Sequence, residues 1–302
     1  MNALPHHRRR KPSGTIQITT WNVDGLQQCA AASRGNGFRL YVEAERPTIL
    51  VITEVNQWNA RSFFETDPTF AFLLAMYPHR YWAGKVAVFS QVKPMSEPVL
   101  GFPQGTEYDK KEGRARIMSL DFPGCFLLAT YVQYSGKRLI NLPKRMAWAA
   151  DFEPYIRSLD AQKPVIWTGD FNVICTTTPT RTVTNDAELP VELKWARTCK
   201  AERDAHERLL GEQPWLDHPR RPQNKFVDVW RVMKGPNAKQ YSCHGKMWNK
   251  WRLDGFIVTE RYLHRIRKCE IRDEVFEVAY GRRGEVWSDH CPVWLNVEGE
   301  EL

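Results

Sequence analysis

The sequence predicts a layered α/β sandwich, two packed sheets with helices on their outer faces. Short segments rich in Val, Ile, Phe and Trp recur along the chain. Several neighbours are joined by turns too short for a crossover helix, which requires antiparallel pairing. Helix-like stretches with an apolar stripe lie between others and supply the covering layers. A doubly wound nucleotide fold is the rival, but no G-x-G-x-x-G follows a strand and no Walker loop exists.

In chain order the expected strands are Ile16–Asn22, Thr48–Thr53, Lys85–Ser90, Ala115–Phe122, Cys125–Val132, Pro164–Thr168, Gln240–Cys243, Arg252–Thr259 and Pro292–Val297. Trp148, Phe152, Tyr155, Ile156 and Leu159 recur at helical spacing, with Pro154 expected to kink that helix or start a second segment. Leu193, Ala196, Ala201, Ala205, Leu209 and Leu210 give a weaker stripe over roughly 191–210, expected on the surface. No internal repeat or low-complexity linker divides the 302 residues. One domain over 15–302 is therefore expected, behind a basic flexible tail over 1–14.

Composition narrows the class. Hydrophobic residues make up 42% and charged residues 26%, with twelve tryptophans, which excludes a mostly disordered chain. No apolar run reaches the ~18–20 residues that span a bilayer, and MNALPHHRRRKPSG lacks the apolar stretch of a signal peptide, so a non-membrane, intracellular protein is expected. Seven scattered cysteines without a C-x-x-C pair spell neither a zinc motif nor a disulfide framework and fit a reducing compartment. The net charge of +8 is uneven: residues 1–14 carry four bases and no acid, and residues 190–272 carry nineteen bases against ten acids. A localised positive field suits a polyanion, so nucleic acid is the expected partner. The alternative is a solvated face.

Polar residues at the ends of apolar runs carry the chemistry. Asn22 and Asp24 lie in TTWNVDGL, Glu54 in ILVITEVNQW, Tyr131 in LATYVQYSG, Asp170 and Asn172 in PVIWTGDFNV, and Asp254, Asp289 and His290 in WRLDGF and WSDHCPV. Each cluster alone reads equally as a turn or cap. Five of them, each a costly carboxylate or polar group beside a buried strand, read as a site whose charges are compensated. Alternate strand positions share a face, so Asn22 with Asp24 and Asp170 with Asn172 each present an oxygen pair. Hard oxygens of this kind suit Mg²⁺ or Mn²⁺.

Together W-N-V-D-G, T-Y-V-x-x-S-G, G-D-F-N-V, W-R-L-D and S-D-H-C-P, in this order from about Ile16 to Val297, resemble the exonuclease III-like apurinic/apyrimidinic (AP) endonucleases of the endonuclease/exonuclease/phosphatase superfamily. EYDKKEGR, ending at Arg114, resembles their acidic segment and E-G-R turn. The resemblance implies a four-layered α/β sandwich shared with DNase I and a metal-dependent phosphodiesterase acting on DNA. It assigns Glu54 as principal metal ligand with Asp24 and Asp289 nearby, and Asn22 as a bridge to metal-bound water or substrate. By the same likeness Asp170 activates water with help from Asn172, and His290, polarised by Asp254, holds a phosphate oxygen. Tyr131 contacts phosphate or assists the leaving group.

Two departures bear on substrate. Tyr134 stands where the family pattern has an asparagine, and Cys243–His244 replaces the aromatic pair that walls the abasic-sugar pocket. Trp251 is retained, Trp248 is the expected substitute for the lost pair, and Lys246, Lys250, Trp251 and Arg114 are expected to contact substrate. GDFNV, FVDVWR and RLDGFIVT also resemble the endonuclease domains of non-LTR retrotransposons. A catalytically silent member that binds nucleic acid or an assembly is the alternative outside enzymes. A monomer is expected, nuclear by its His6–Lys11 run, with an organellar location as the alternative.

Overall fold

The computed structural model describes residues 14–31, 37–57, 59–103, 106, 108, 113–174, 196–210, 225–235, 238–244, 250–275, 288–299 and 301–302. The expected basic tail lies outside this set except for Gly14. In chain order the strands are β1 (Thr15–Asn22), β2 (Ile49–Thr53), β3 (His79–Trp82), β4 (Val86–Ser90), β5 (Val99–Leu100), β6 (Ile117–Asp121) and β7 (Phe126–Tyr131). They continue with β8 (Val165–Asp170), β9 (Phe226–Asp228), β10 (Cys243–His244), β11 (Lys250–Trp251), β12 (Asp254–Thr259), β13 (Ile266–Ile271) and β14 (Val293–Glu298). Two six-stranded sheets result, ordered β13-β14-β1-β2-β4-β3 and β5-β6-β7-β8-β12-β9, with β10 and β11 as a separate ribbon.

Pairing is antiparallel except for β1 with β2 and β7 with β8. Each parallel pair needs a crossover, and each has helix between its strands. Gly37–Glu45 lies between β1 and β2, and Leu142–Asp160 between β7 and β8. The strand pleat sorts side chains between layers. On β2, Ile49 and Val51 join the core between the sheets, whereas Leu50 and Ile52 meet Phe38, Tyr41 and Phe64 on the outer face. On β7, Leu127 and Ala129 point inward, while Phe126 and Leu128 pack with Trp148, Phe152 and Ile156 of the long helix. Helix, sheet, sheet, helix is the expected sandwich.

Three expectations shift. Leu142–Asp160 runs through Pro154 as one helix rather than two segments. The carbonyl deprived of its amide partner is that of Ala150, an exposed residue. The second helix spans Lys200–Leu210 and is no surface element alone: Ala205, His206, Leu209 and Leu210 are buried. His206 lies between Trp167 and Phe171, 5.7 Å from each ring centroid, and burial pushes its imidazole down to about 3, so it packs neutral. The strand expected at Gln240–Cys243 is shorter and displaced, forming β10.

Gly169 sets how closely β7 and β8 approach. Its φ is 132°, and a Cβ there would sit 1.8 Å from the Thr130 carbonyl oxygen. Backbone cannot yield as a flexible side chain does, so Gly169→Ala should destabilise the fold by about 3–5 kcal/mol. Chemical denaturation checks this; an unchanged midpoint would show that the two strands have slack.

Candidate active site

The two parallel pairs end on the same side of the sandwich, and their carboxyl ends carry the site. Asn22 closes β1, Glu54 follows β2, Tyr131 closes β7 and Asp170 closes β8. Antiparallel neighbours add the rest: Asp254 opens β12 in register with Asp170, and His290 precedes β14 beside β1. Crevices at the carboxyl ends of parallel strands recur as ligand sites because the chain leaves the sheet there and exposes its polar ends.

Asn22 is the hub. Its Nδ2 donates to Glu54 Oε1 at 2.9 Å and to Asp170 Oδ2 at 2.9 Å, and its Oδ1 accepts from the Asp24 amide at 3.0 Å. Both amide protons thereby hold carboxylates. Tyr131 donates its hydroxyl to Glu54 Oε1 at 2.7 Å. Burial works to raise the Glu54 carboxyl, but these two hydrogen bonds and the nearby His290 charge outweigh it and hold the group below its usual range. Gly25 donates its amide to the Glu54 carbonyl at 2.9 Å, which ties the Asp24 turn to the β2 end.

Asp170 is buried and accepts at Oδ1 from the Asn172 amide at 2.8 Å. Burial and then the charge of Asp254 push its carboxyl up to about 6. Asp254 Oδ2 lies 2.6 Å from His290 Nδ1 and accepts from Ser242 Oγ at 2.8 Å, while Asp254 Oδ1 is buried without a hydrogen-bond partner among the described residues. Burial opposes a charged His290, yet the Asp254 carboxylate overrides it and holds the imidazole well above its usual range. Ser288 Oγ donates to the Asn22 carbonyl at 2.7 Å and accepts from the His290 amide at 3.0 Å. The first and last parts of the chain are thereby locked together.

Backbone strain collects at the same place. Asp24, Glu54 and Asn172 have φ of 46°, 57° and 47°, left-handed conformations that non-glycine residues rarely adopt. Each costs about 1–2 kcal/mol, which the network around it must hold.

All nine residues expected at the catalytic and metal positions converge here, Asp24 on the exposed rim and Asp289 with its side chain half-exposed. Trp251 lies partly buried at the edge, and Lys250 is exposed. Arg114 is exposed on the turn Gly113–Ala115, with no contact to the network. Lys246 and Trp248 lie outside the described residues.

Sequence reading missed Arg197. Its guanidinium carbon sits 5.0 Å from the Tyr134 ring centroid and 5.6 Å from that of Trp251, and its Nε donates to Asn172 Oδ1 at 3.1 Å. Its terminal nitrogens have no hydrogen-bond partner among the described residues. Tyr134, the departure from the family asparagine, thus places a cation beside Asn172.

Metal capacity follows from charge. Glu54, Asp170 and Asp254 converge with His290 as their sole ion-pair partner among the described residues. Hard carboxylate oxygens with uncompensated charge fit a divalent cation, with Glu54, Asp24 and Asp289 on the open side as the residues that would hold it. Asp170, Asp254 and His290 also offer ligand atoms within 4.8 Å of one another. That trio is already joined internally at His290 Nδ1, so it reads as acid–base machinery first. Held on the open side by Glu54, Asp24 and Asp289, a cation would supply charge neutralisation for phosphate oxygens.

The profile of the Endonuclease/Exonuclease/phosphatase family matches residues 19–290, from β1 to His290. A DNA repair nuclease of Danio rerio is 29% identical over 304 residues, spanning 94% of this chain and 82% of its own length. An exodeoxyribonuclease of Bacillus subtilis is 26% identical over 298 residues, spanning 93% and 99%. Among solved structures, the AP endonuclease of Leishmania major aligns with a TM-score of 0.68 at 19% identity, over 95% of this chain and 89% of that one. Likeness over this extent, with the polar network closed between Asn22 and His290, makes the chain a member of the Endonuclease/Exonuclease/phosphatase family of hydrolases.

Proposed function

We propose that this protein is a Mg²⁺-dependent phosphodiesterase that cuts DNA in the manner of an AP endonuclease. The observation that carries this reading is the Asn22 bridge between Glu54 and Asp170, opposite the Asp254–His290 pair. It separates two carboxylate roles: Glu54, held ionised, serves the cation, and Asp170, with a raised pKa, takes a proton from attacking water. His290, charged by Asp254, stabilises a phosphate oxygen as negative charge develops, and Asn172 orients Asp170. Tyr131, whose hydroxyl donates to Glu54, would assist the leaving group by re-aiming that proton. Mn²⁺ satisfies the same donors.

The missing aromatic pair favours a second reading, a nuclease of relaxed lesion selectivity like the retrotransposon endonucleases. Cys243 and His244 form β10 beside the site, where an extruded sugar would need apolar walls. A gel assay in Mg²⁺ with abasic duplex, intact duplex, single-stranded DNA and RNA tests both. Preferential cutting of abasic duplex supports the first, equal cutting of intact DNA the second. Binding without cleavage would leave a silent nucleic-acid-binding member, and undiminished cleavage in excess EDTA would overturn the metal requirement.

Affinity should fall steeply with salt, log K dropping by roughly 0.9 per phosphate contacted on duplex DNA. Replacing Lys246 and Lys250 together should flatten the slope by about one to two units, for all sequences alike. Arg197→Gln should flatten it by about one. Unchanged slopes would move the contact surface elsewhere. The basic His6–Lys11 run supports a nuclear location, tested by imaging the chain with and without residues 1–14; an unchanged distribution would remove that support. A monomer is the proposed state, and sedimentation at dimer mass would refute it.

A further inference from the structure

Cys243 does more than interrupt an aromatic pair. Its Sγ, a His290 ring nitrogen and an Asp289 carboxylate oxygen lie within 4.8 Å of one another. His290 Nδ1 is turned to Asp254, so the nitrogen facing Asp289 is Nε2, 3.9 Å from Asp289 Oδ1. Backbone pins hold the three in place: Cys243 pairs with His290 in a β-bridge, His244 donates its amide to the Asp289 carbonyl at 2.8 Å, and Cys291 donates to the Ser242 carbonyl at 2.6 Å.

Thiolate and imidazole are donors that zinc takes and magnesium avoids, and the carboxylate serves either ion. Bond lengths near 2.0–2.3 Å put neighbouring ligands of one tetrahedral zinc about 3.3–3.7 Å apart, within a small closure of the observed spacing. The imidazole is also oriented for it, because a histidine that binds zinc through one nitrogen gives the other to a carboxylate, as His290 does to Asp254. The half-exposed Asp289 provides the approach from solvent.

We propose that Cys243, Asp289 and His290 form a binding site for a borderline-soft divalent cation of the zinc type, whose occupation silences the hydrolytic centre. Binding exchanges the Cys243 S–H for an S–metal bond and releases that proton, and any proton on His290 Nε2, to solvent. His290 then cannot reach phosphate, and Asp289 leaves the hard-cation rim. The inhibitory consequence rests on the proposed phosphodiesterase function; the binding site does not.

The test uses the full chain in excess Mg²⁺. Zn²⁺ should bind one per chain and suppress cleavage, and Co²⁺ should show a thiolate-to-metal charge-transfer band. Cys243→Ser, which keeps the size of the side chain and loses the soft donor, should abolish the band and weaken Zn²⁺ inhibition, measured against that variant's own Mg²⁺-supported rate, at least ~10-fold. If Cys243→Ser fails to fold, Asp289→Asn on the open side should weaken Zn²⁺ binding by a similar factor. No band in the parent, or equal Zn²⁺ affinity in a folded variant, overturns the site. A thiolate–cobalt band in a protein that cleaves no substrate would uphold the site and refute the proposed function.

Discussion

Asp170→Asn should lower turnover by at least ~10²-fold while leaving DNA affinity near that of the parent. The variant keeps the volume and the acceptor for the Asn172 amide, and loses the basic oxygen. In the parent, the rate should rise with pH through about 6 and then level, because Asp170 must be ionised to accept a proton. Glu54 is held below its usual range, so it stays charged across this window and the limb reports Asp170 rather than loss of the cation. Stability should move the opposite way. The folded-state pKa of Asp170 is above its unfolded value, so the fold binds that proton more tightly and the parent loses stability as pH rises from about 4 to about 6. Asn pays no such penalty. Relative to the parent, the variant should therefore gain stability as pH rises from about 4 through about 6, and lose that advantage as pH falls again. Thermal melts at pH 8 and pH 4 check the sign, and a variant that cleaves as fast as the parent would make Asp170 a turn residue.

Glu54→Gln should cut activity at limiting Mg²⁺ by roughly 10²-fold and move the Mg²⁺ midpoint upward at least ~10-fold. Gln retains an oxygen that can accept from Asn22 and Tyr131, so the network should survive without the charge that attracts a hard cation. A Mg²⁺ titration of cleavage, beside a melt showing an intact fold, reads this directly. An unchanged midpoint would transfer the cation to other carboxylates of the rim.

The strands that sequence pattern located are the buried ones. β2, β4, β7 and β8 are apolar on both faces because helices cover one side and the other sheet covers the other. The missed strands are short or lie at edges: β3 is half-buried throughout, and β5 and β11 are two residues each. β13 escapes the pattern because IRKCEI is rich in charge and its buried residues, Ile266, Cys269 and Ile271, do not alternate strictly, the pairing with β14 shifting register between Ile266 and Lys268. Within the site, charged residues at strand ends stood out because burying them there has a cost that only function explains. Ser242 and Ser288 did not, since a serine is ordinary in any loop and its hydrogen bonds to the network exist only in three dimensions. Arg197 was hidden for another reason: it was read as part of a long surface helix, whereas the helix starts at Lys200 and Arg197 occupies a left-handed turn with φ of 74°.

The lock between Asn22 and Ser288–His290 has a consequence for synthesis. β1 emerges from the ribosome early, yet it lies between β2 and β14, and Trp21 donates its indole N–H to the His290 carbonyl at 2.9 Å, across 269 positions of sequence. Until residue 290 has been added, Asp254 and Asn22 have neither the imidazole nor the serine that complete their network. Contacts of such separation form slowly and late. A ribosome-bound chain released anywhere before β14 should therefore be devoid of nuclease activity however much of the second sheet has folded, so that a DNA-cutting centre comes into being only once β14 has been made.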